Sequence, residues 1–293
     1  MAIGERDPHT GHMTTGHEWN GIKELNTRVP RAVYFFLVVT AAFAVVYWVL
    51  MPAWPLGVTY TRGLLGIDQR KTVAEDLQRA AVDREVWTRQ LEAGDYEEIL
   101  ADQILMRTVR ETGATLFGDN CAVCHGARGQ GGKGYPALTD PAWLWGGAPE
   151  AIAETLRVGI NSSHEETRTS QMMAFGRDQL LDRATILNLV AYVQSLSDPQ
   201  LEPGPQADAV AAGQAAFAET CASCHGEDGT GSIEAGAPNL TDGFWIYGGD
   251  RQSIFDTVFN GRQGHMPAWE ARLTALDRKI LTLYVLDLGS ARP

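Results

Sequence analysis

Cys121-Ala122-Val123-Cys124-His125 and Cys221-Ala222-Ser223-Cys224-His225 contain every cysteine of the 293-residue chain. A Cys-x-x-Cys-His run sets two thiols where they can add to the two vinyl groups of a porphyrin and follows them with an imidazole that can bind its iron. That is the attachment pattern of a c-type haem. Two copies predict two covalent haem c groups, one held by Cys121 and Cys124, the other by Cys221 and Cys224. No thiol is left for a disulfide framework. A redox dithiol or a four-thiolate zinc site would use the same residues, but zinc ribbons space their pairs about 15–20 residues apart. Here the gap runs from Cys124 to Cys221, and neither alternative has a use for the histidine after each pair.

By position His125 and His225 are the near ligands of the two irons, and the far ligands must come from downstream. The elements that would bring them in are written twice. Leu138-Thr139-Asp140 recurs as Leu240-Thr241-Asp242, Trp143-Leu144-Trp145-Gly146-Gly147 as Trp245-Ile246-Tyr247-Gly248-Gly249, and Gly159 as Gly261. Each copy reads as helix, cysteine motif, glycine-rich loop, short helix, methionine loop and final helix, an all-α plan packed around its cofactor. The four aromatic positions read as core contacts. A Pro-rich seam from Asp198 to Pro205 joins the copies.

Both copies resemble cytochromes c over about 90 residues each. In that family the distal methionine commonly precedes a proline, so the resemblance selects Met266 in Gly264-His265-Met266-Pro267, with His265 left to solvent. In the first copy Met172 aligns with Met266, although Met173 stands where the proline should be and remains an alternative. His164 is a further candidate, through a bis-histidine iron. The expected pairs are His125 with Met172 and His225 with Met266; a thioether ligand gives a higher potential than a second imidazole.

Upstream, Ala32 to Leu50 holds no charge and is long enough to cross a bilayer as a helix. Tyr34, Tyr47, Trp48 and Trp54 suit its interfaces. A cleaved signal peptide would have a shorter apolar region and a less mixed tail. Lys23, Arg28 and Arg31 precede the span and the first cation after it is Arg62, which predicts a cytoplasmic N-terminus and a large part facing outward. An exit segment over 52–67 and helices over Gln69–Leu91 and Tyr96–Phe117 lead to the first cysteine motif. The expected organisation is a tail over 1–31, a span over 32–52, a connector over 53–107, domains over 108–197 and 208–293, and a linker over 198–207.

The formal charge is −12, all of it after residue 52, where 20 basic residues meet 32 acidic ones. That argues against nucleic acid and for a basic partner. Residues 198–293 hold six basic and thirteen acidic side chains against eight and nine in 107–197, so the second copy is the expected docking half.

Thr14-Thr15-Gly16-His17-Glu18-Trp19-Asn20-Gly21-Ile22-Lys23-Glu24-Leu25-Asn26, then Pro30-Arg31, the span, connector helices, and Phe117-Gly118-Asp119-Asn120 leading into the first motif resemble the di-haem subunit III of cbb3-type cytochrome c oxidases, essentially end to end. The resemblance implies a bacterial inner-membrane, single-pass subunit with periplasmic haem domains and no catalysis of its own. It would take electrons from a periplasmic cytochrome c or from the quinol-oxidising cytochrome bc1 complex. It would pass them through a mono-haem c subunit to the haem b, b3 and CuB subunit that reduces oxygen and pumps protons. A di-haem subunit of a periplasmic dehydrogenase leaves the Thr14–Asn26 stretch without a role, and a di-haem peroxidase needs an open iron position that only the Met172-Met173 loop could offer.

Overall fold

A computed structural model describes residues 4–197 and 206–290. Most of the expected linker, Asp198 to Pro205, lies outside the described residues. The chain divides into two compact units between Asp83 and Arg84, and each stands by itself below.

The first unit opens with an antiparallel hairpin, β1 (Thr14–Trp19) and β2 (Ile22–Leu25). Asn20 and Gly21 join the strands with φ of 49° and 85°. Two successive positive φ values match the right-handed twist of paired strands, and Asn-Gly tolerates them. The all-α plan expected above holds no strand here; the Asn-Gly dipeptide is the signal for one. Helix α1 (Arg31–Leu50) follows, with no buried residue and the length and apolarity of a membrane span. Thr40 keeps its hydroxyl on the Phe36 carbonyl at 2.8 Å. Helix α2 (Gln69–Ala93) runs across the division between the units.

In the second unit the stretch expected as one helix from Tyr96 to Phe117 is two, α3 (Tyr96–Ala101) and α4 (Gln103–Asn120). Asp102 makes the break: its carboxylate accepts from Ile104 N and Leu105 N, so the backbone starts a new helix there. Beyond α4 come the turn α5 (Ala122–His125), α6 (Pro149–Val158), α7 (Arg183–Ser197), α8 (Ala207–Thr220), the turn α9 (Ala222–His225), α10 (Arg251–Asn260) and α11 (Ala275–Ser290). The fold is all-α apart from the N-terminal hairpin.

The final helices have changed places. α11 packs on α4 and α6 of the first copy, while α7 packs on α8 and α10 of the second. Both crossings run at backbone distance through a glycine. A Cβ on Gly113 would lie 2.7 Å from Tyr284 Cβ, and one on Gly213 would lie 2.1 Å from Asn188 O and 2.8 Å from Tyr192 Cβ. Tyr284 leans on Phe117 with ring centroids 5.6 Å apart, Tyr192 on Phe217 at 5.3 Å. Arg110 on α4 reaches Asp287 on α11 through two 2.8 Å bonds. The end of α2 and helices α3 and α4 belong to the same assembly, since Leu91, Ile99, Met106 and Val109 share a buried cluster with Ile280 and Leu283.

In an open helix Gly→Ala stabilises by about 0.5–1 kcal/mol. At the α7–α8 crossing the added methyl overpacks, so Gly213→Ala should destabilise by about 1–3 kcal/mol. Chemical denaturation of the full chain in detergent checks the sign.

Candidate functional site

The cysteine motifs become single helical turns because the helix before each does not stop: Cys121 N donates to Phe117 O and Cys221 N to Phe217 O, both at 2.8 Å. Gly126 and Gly226 end the turns at φ of 80° and 78°, which sends the chain back over the histidine. The returning loops bring Pro136 O to 2.9 Å from His125 Nδ1 and Pro238 O to 3.0 Å from His225 Nδ1. A carbonyl can only accept, so Nδ1 carries the proton and Nε2 keeps a lone pair fit for iron. Burial, only partly opposed by the carbonyl bond, pushes both imidazoles below their ordinary pKa and favours that neutral form.

The thiols discriminate between the readings of the motif. Cys121 and Cys221 are half-buried, and desolvation pushes each thiol up to about 11; Cys124 and Cys224 are exposed. A redox dithiol needs the opposite shift. Among the described residues no group of three or more His, Cys, Asp or Glu is placed to hold a metal ion.

The methionines lie across from the motif of the other copy, contrary to the expected pairing. Met266 packs in the cluster of Cys121, Phe117, Ile152 and Trp143, and Met172 in that of Cys221, Phe217, Ile254 and Trp245. Backbone bonds fix this arrangement. Ile160 and Met266 exchange N–H···O bonds at 2.9 Å in each direction; Met172 and Arg262 do so at 2.8 and 3.0 Å. Repeat offsets identify equivalent positions but not the copy with which each packs. Short connections favour elements that are neighbours in sequence, and α7 followed at once by α8 is such a pair.

Met173 is exposed while Met172 is inside the cluster, and His265 is exposed. His164 accepts from Glu166 N at Nδ1 (3.0 Å), so its Nε2 donates to Glu270 at 2.8 Å and neither nitrogen is left for iron.

Three residues with a part in the site were not singled out from the sequence. Asn161, at φ 48°, donates to Ser170 O (2.8 Å) and Gly264 O (2.7 Å), tying together the loops that carry both methionines. Arg168 and Arg262 each stand four residues before a methionine, a spacing visible in the repeat. Arg262 lies over the Tyr247 ring and gives both Nε and Nη2 to Thr257 Oγ1. Arg168 lies over Trp145 and bonds Ala151 O, but its buried Nε has no partner. A cavity of about 900 Å³ is walled by Pro136, Trp143 and Leu144 and by Pro238, Trp245 and Ile246, so both copies open into one space. The cavity wall is about half apolar, and separately the buried, unpaired Arg168 Nε beside Trp145 suits a group that carries carboxylates, so the residues present fit a macrocycle with propionates.

Helices arranged in this order about Cys-x-x-Cys-His turns define a c-type cytochrome with two modules in tandem, and residues 110–197 match the family model of cytochrome c. Residues 208–285 match that of "Cytochrome C oxidase, cbb3-type, subunit III", and residues 11–58 that of the "N-terminal domain of cytochrome oxidase-cbb3, FixP". A cbb3-type cytochrome c oxidase subunit FixP from Bradyrhizobium sp. (strain ORS 278) is 43% identical, covering 98% of each chain. The CcoP subunits of Azospirillum brasilense and Cereibacter sphaeroides are 40% and 44% identical, covering 100% and 94% of each chain. The chain belongs to the FixP/CcoP family of cbb3-type oxidase subunits. It is accordingly a membrane-anchored, haem c-binding, electron-transfer subunit of an oxidase.

Asn161→Gly keeps the left-handed backbone and removes the ties to both methionine loops. It should cost about 1–3 kcal/mol, as part-buried hydrogen bonds are lost, and the midpoint of denaturant unfolding measures it.

Proposed function

We propose that the chain carries two covalent haem c groups, at Cys121 and Cys124 and at Cys221 and Cys224, with crossed axial pairs: His125 with Met266 and His225 with Met172. The placement of each methionine in the opposite copy's cysteine cluster carries this reading. Bound there, haem c supplies a one-electron ferric/ferrous couple whose potential a thioether ligand raises above that of a bis-histidine iron. The chain's own residues prepare the site. Pro136 O and Pro238 O hold the imidazoles with Nε2 free, Trp143 and Trp245 exclude water, and Arg168 offers its unpaired Nε to a propionate.

In this reading the two sequence modules run over 108–197 and 208–293 and exchange their final helices, with a linker over 198–207, a connector over 53–107, a span over 32–52 and a cytoplasmic tail over 1–31. The haem modules face the periplasm of the bacterial inner membrane. Electrons come from a basic periplasmic cytochrome c or the cytochrome bc1 complex and leave through the mono-haem c subunit to the catalytic haem-copper subunit. The more acidic half after residue 198 receives the donor and the first half hands electrons on. Two methionines seated inside clusters support six-coordinate irons and an electron carrier with no peroxidase chemistry.

The pairing is tested with Met266→Ala and Met172→Ala in the full-length holoprotein. Peroxide bleaches a haem that has an open position. Acid cleavage of the Asp7-Pro8, Asp140-Pro141 and Asp198-Pro199 bonds then leaves each cysteine motif on its own peptide. With Met266→Ala the peptide containing Cys121 should lose its haem stain, and with Met172→Ala the one containing Cys221. The reverse result restores the pairing within each copy, and a single stained peptide from the untreated parent protein removes the two-haem reading. Steering by acidic side chains further predicts that donor oxidation slows as ionic strength rises. It should slow more when carboxylates after residue 198 are neutralised than when those in 107–197 are, as stopped-flow kinetics would show.

A further inference from the structure

The segment that leaves the membrane helix does not lead away from it. From Ala32 to Thr61 there are thirty residues without a charged side chain, yet α1 accounts for only those up to Leu50. A helix of 20 residues is about 30 Å long and already fills the hydrocarbon core. The rest folds into a tight hairpin: Leu56 N donates to Thr59 O (2.6 Å), Thr61 N to Trp54 O (2.9 Å), and Gly57 turns the chain at φ 88°. The chain then returns to the end of the helix, where Leu64 N donates to Val49 O (2.9 Å) and Leu65 N to Leu50 O (3.0 Å). Gly63, at φ 65°, permits the approach, since a Cβ there would lie 2.4 Å from Leu50 O.

Two of the last-turn carbonyls that a helix leaves unpaired are thus closed by the chain itself, which matters where water is scarce. The side chains at the tip are left uncovered: Leu56 is 63% exposed, Val58 98% and Tyr60 68%. Trp48 and Trp54 lie with ring centroids 5.0 Å apart at the helix end. An uncharged, apolar hairpin of this kind in water would be an unmet hydrophobic cost.

We infer that residues 52–65 are an interfacial wedge: the hairpin lies in the lipid at the C-terminal end of α1, with Leu56, Val58 and Tyr60 among the upper acyl chains and the tryptophans at headgroup level. The occupant is lipid because the patch continues the surface of the span without a charged residue between them, and because paired tryptophans and a tyrosine suit that depth. The wedge sets the depth of α1 and keeps it from sliding. This rests on α1 crossing the bilayer, and the experiment separates the two claims.

Haem attachment consumes the native thiols, so an introduced cysteine is the one reactive site of the holoprotein; unlabelled parent protein checks this. Val58→Cys, Leu56→Cys, Phe43→Cys in mid-helix and Glu97→Cys on the exposed face of α3 are each labelled with bimane. The full-length proteins are placed in phosphatidylcholine nanodiscs containing nitroxide lipids. Labels at 56 and 58 should lose most of their fluorescence to a nitroxide near the headgroup, less to one at the chain end, and little to iodide in water. The label at 97 should show the opposite order. Iodide quenching at 56 and 58 with no lipid effect would overturn the wedge, even if another oxidase subunit covers the hairpin in the whole complex. Failure of the label at 43 to respond to any nitroxide lipid would overturn the spanning helix itself, and the wedge with it.

Discussion

Two helices can cross with their backbones nearly touching only where one of them has no side chain, and the haem-bearing unit is built on two such crossings. Gly113 admits Tyr284 and Gly213 admits Tyr192. Each tyrosine then rests on the phenylalanine one turn before a cysteine motif, Phe117 or Phe217. The crossing therefore sets the height at which Cys121 or Cys221 leaves its helix. The loops that return Pro136 and Pro238 to the histidines, and the methionine segments beyond α6 and α10, are placed from that starting point.

The chemistry was legible because it is local. Two thiols and an imidazole within five residues are read as a haem-attachment motif whatever surrounds them, and the apolar run of α1 has the length and composition of a span. The repeat was legible too, through Leu138-Thr139-Asp140, the aromatic-glycine run after it and Gly159 with their counterparts, whereas the glycines of the crossings and Arg168 and Arg262 took their meaning from the structure. The partner of each repeated element was not legible. Tyr192 and Tyr284 present the same side chain at the same position of the same helix, so Gly113 would accept either. Local pairing of α7 with α8 decides, and no property of a single residue records it. The break at Asp102 and the Asn20-Gly21 hairpin are hidden for another reason: capping and turn residues act over three or four positions and are drowned by apolar periodicity over fifteen.

Interlocking also spreads the charged contacts across the repeat. Arg157 of α6 contacts Glu154 at 2.8 Å, Glu166, and Glu270 from the second copy at 3.5 Å. Such exposed pairs add little each, but with Arg110 and Asp287 they mark the same exchange of partners. Asn161 joins the two methionine loops through a single side-chain amide. Gly134 N on Ile246 O, at 2.8 Å, does the same for the two motif loops. The two copies are thus joined by direct hydrogen bonds between their loops.

The exchange of final helices also orders the birth of the protein. α5 is made about 150 residues before α11, the helix that covers it. At bacterial synthesis rates of about 5–20 residues per second that interval is roughly 8–30 seconds. Throughout it the first cysteine turn lacks its roof, whereas α8 and α9 emerge onto an α7 that is already complete. The later-made pocket is thus the first that can close, while the earlier one stays open longer.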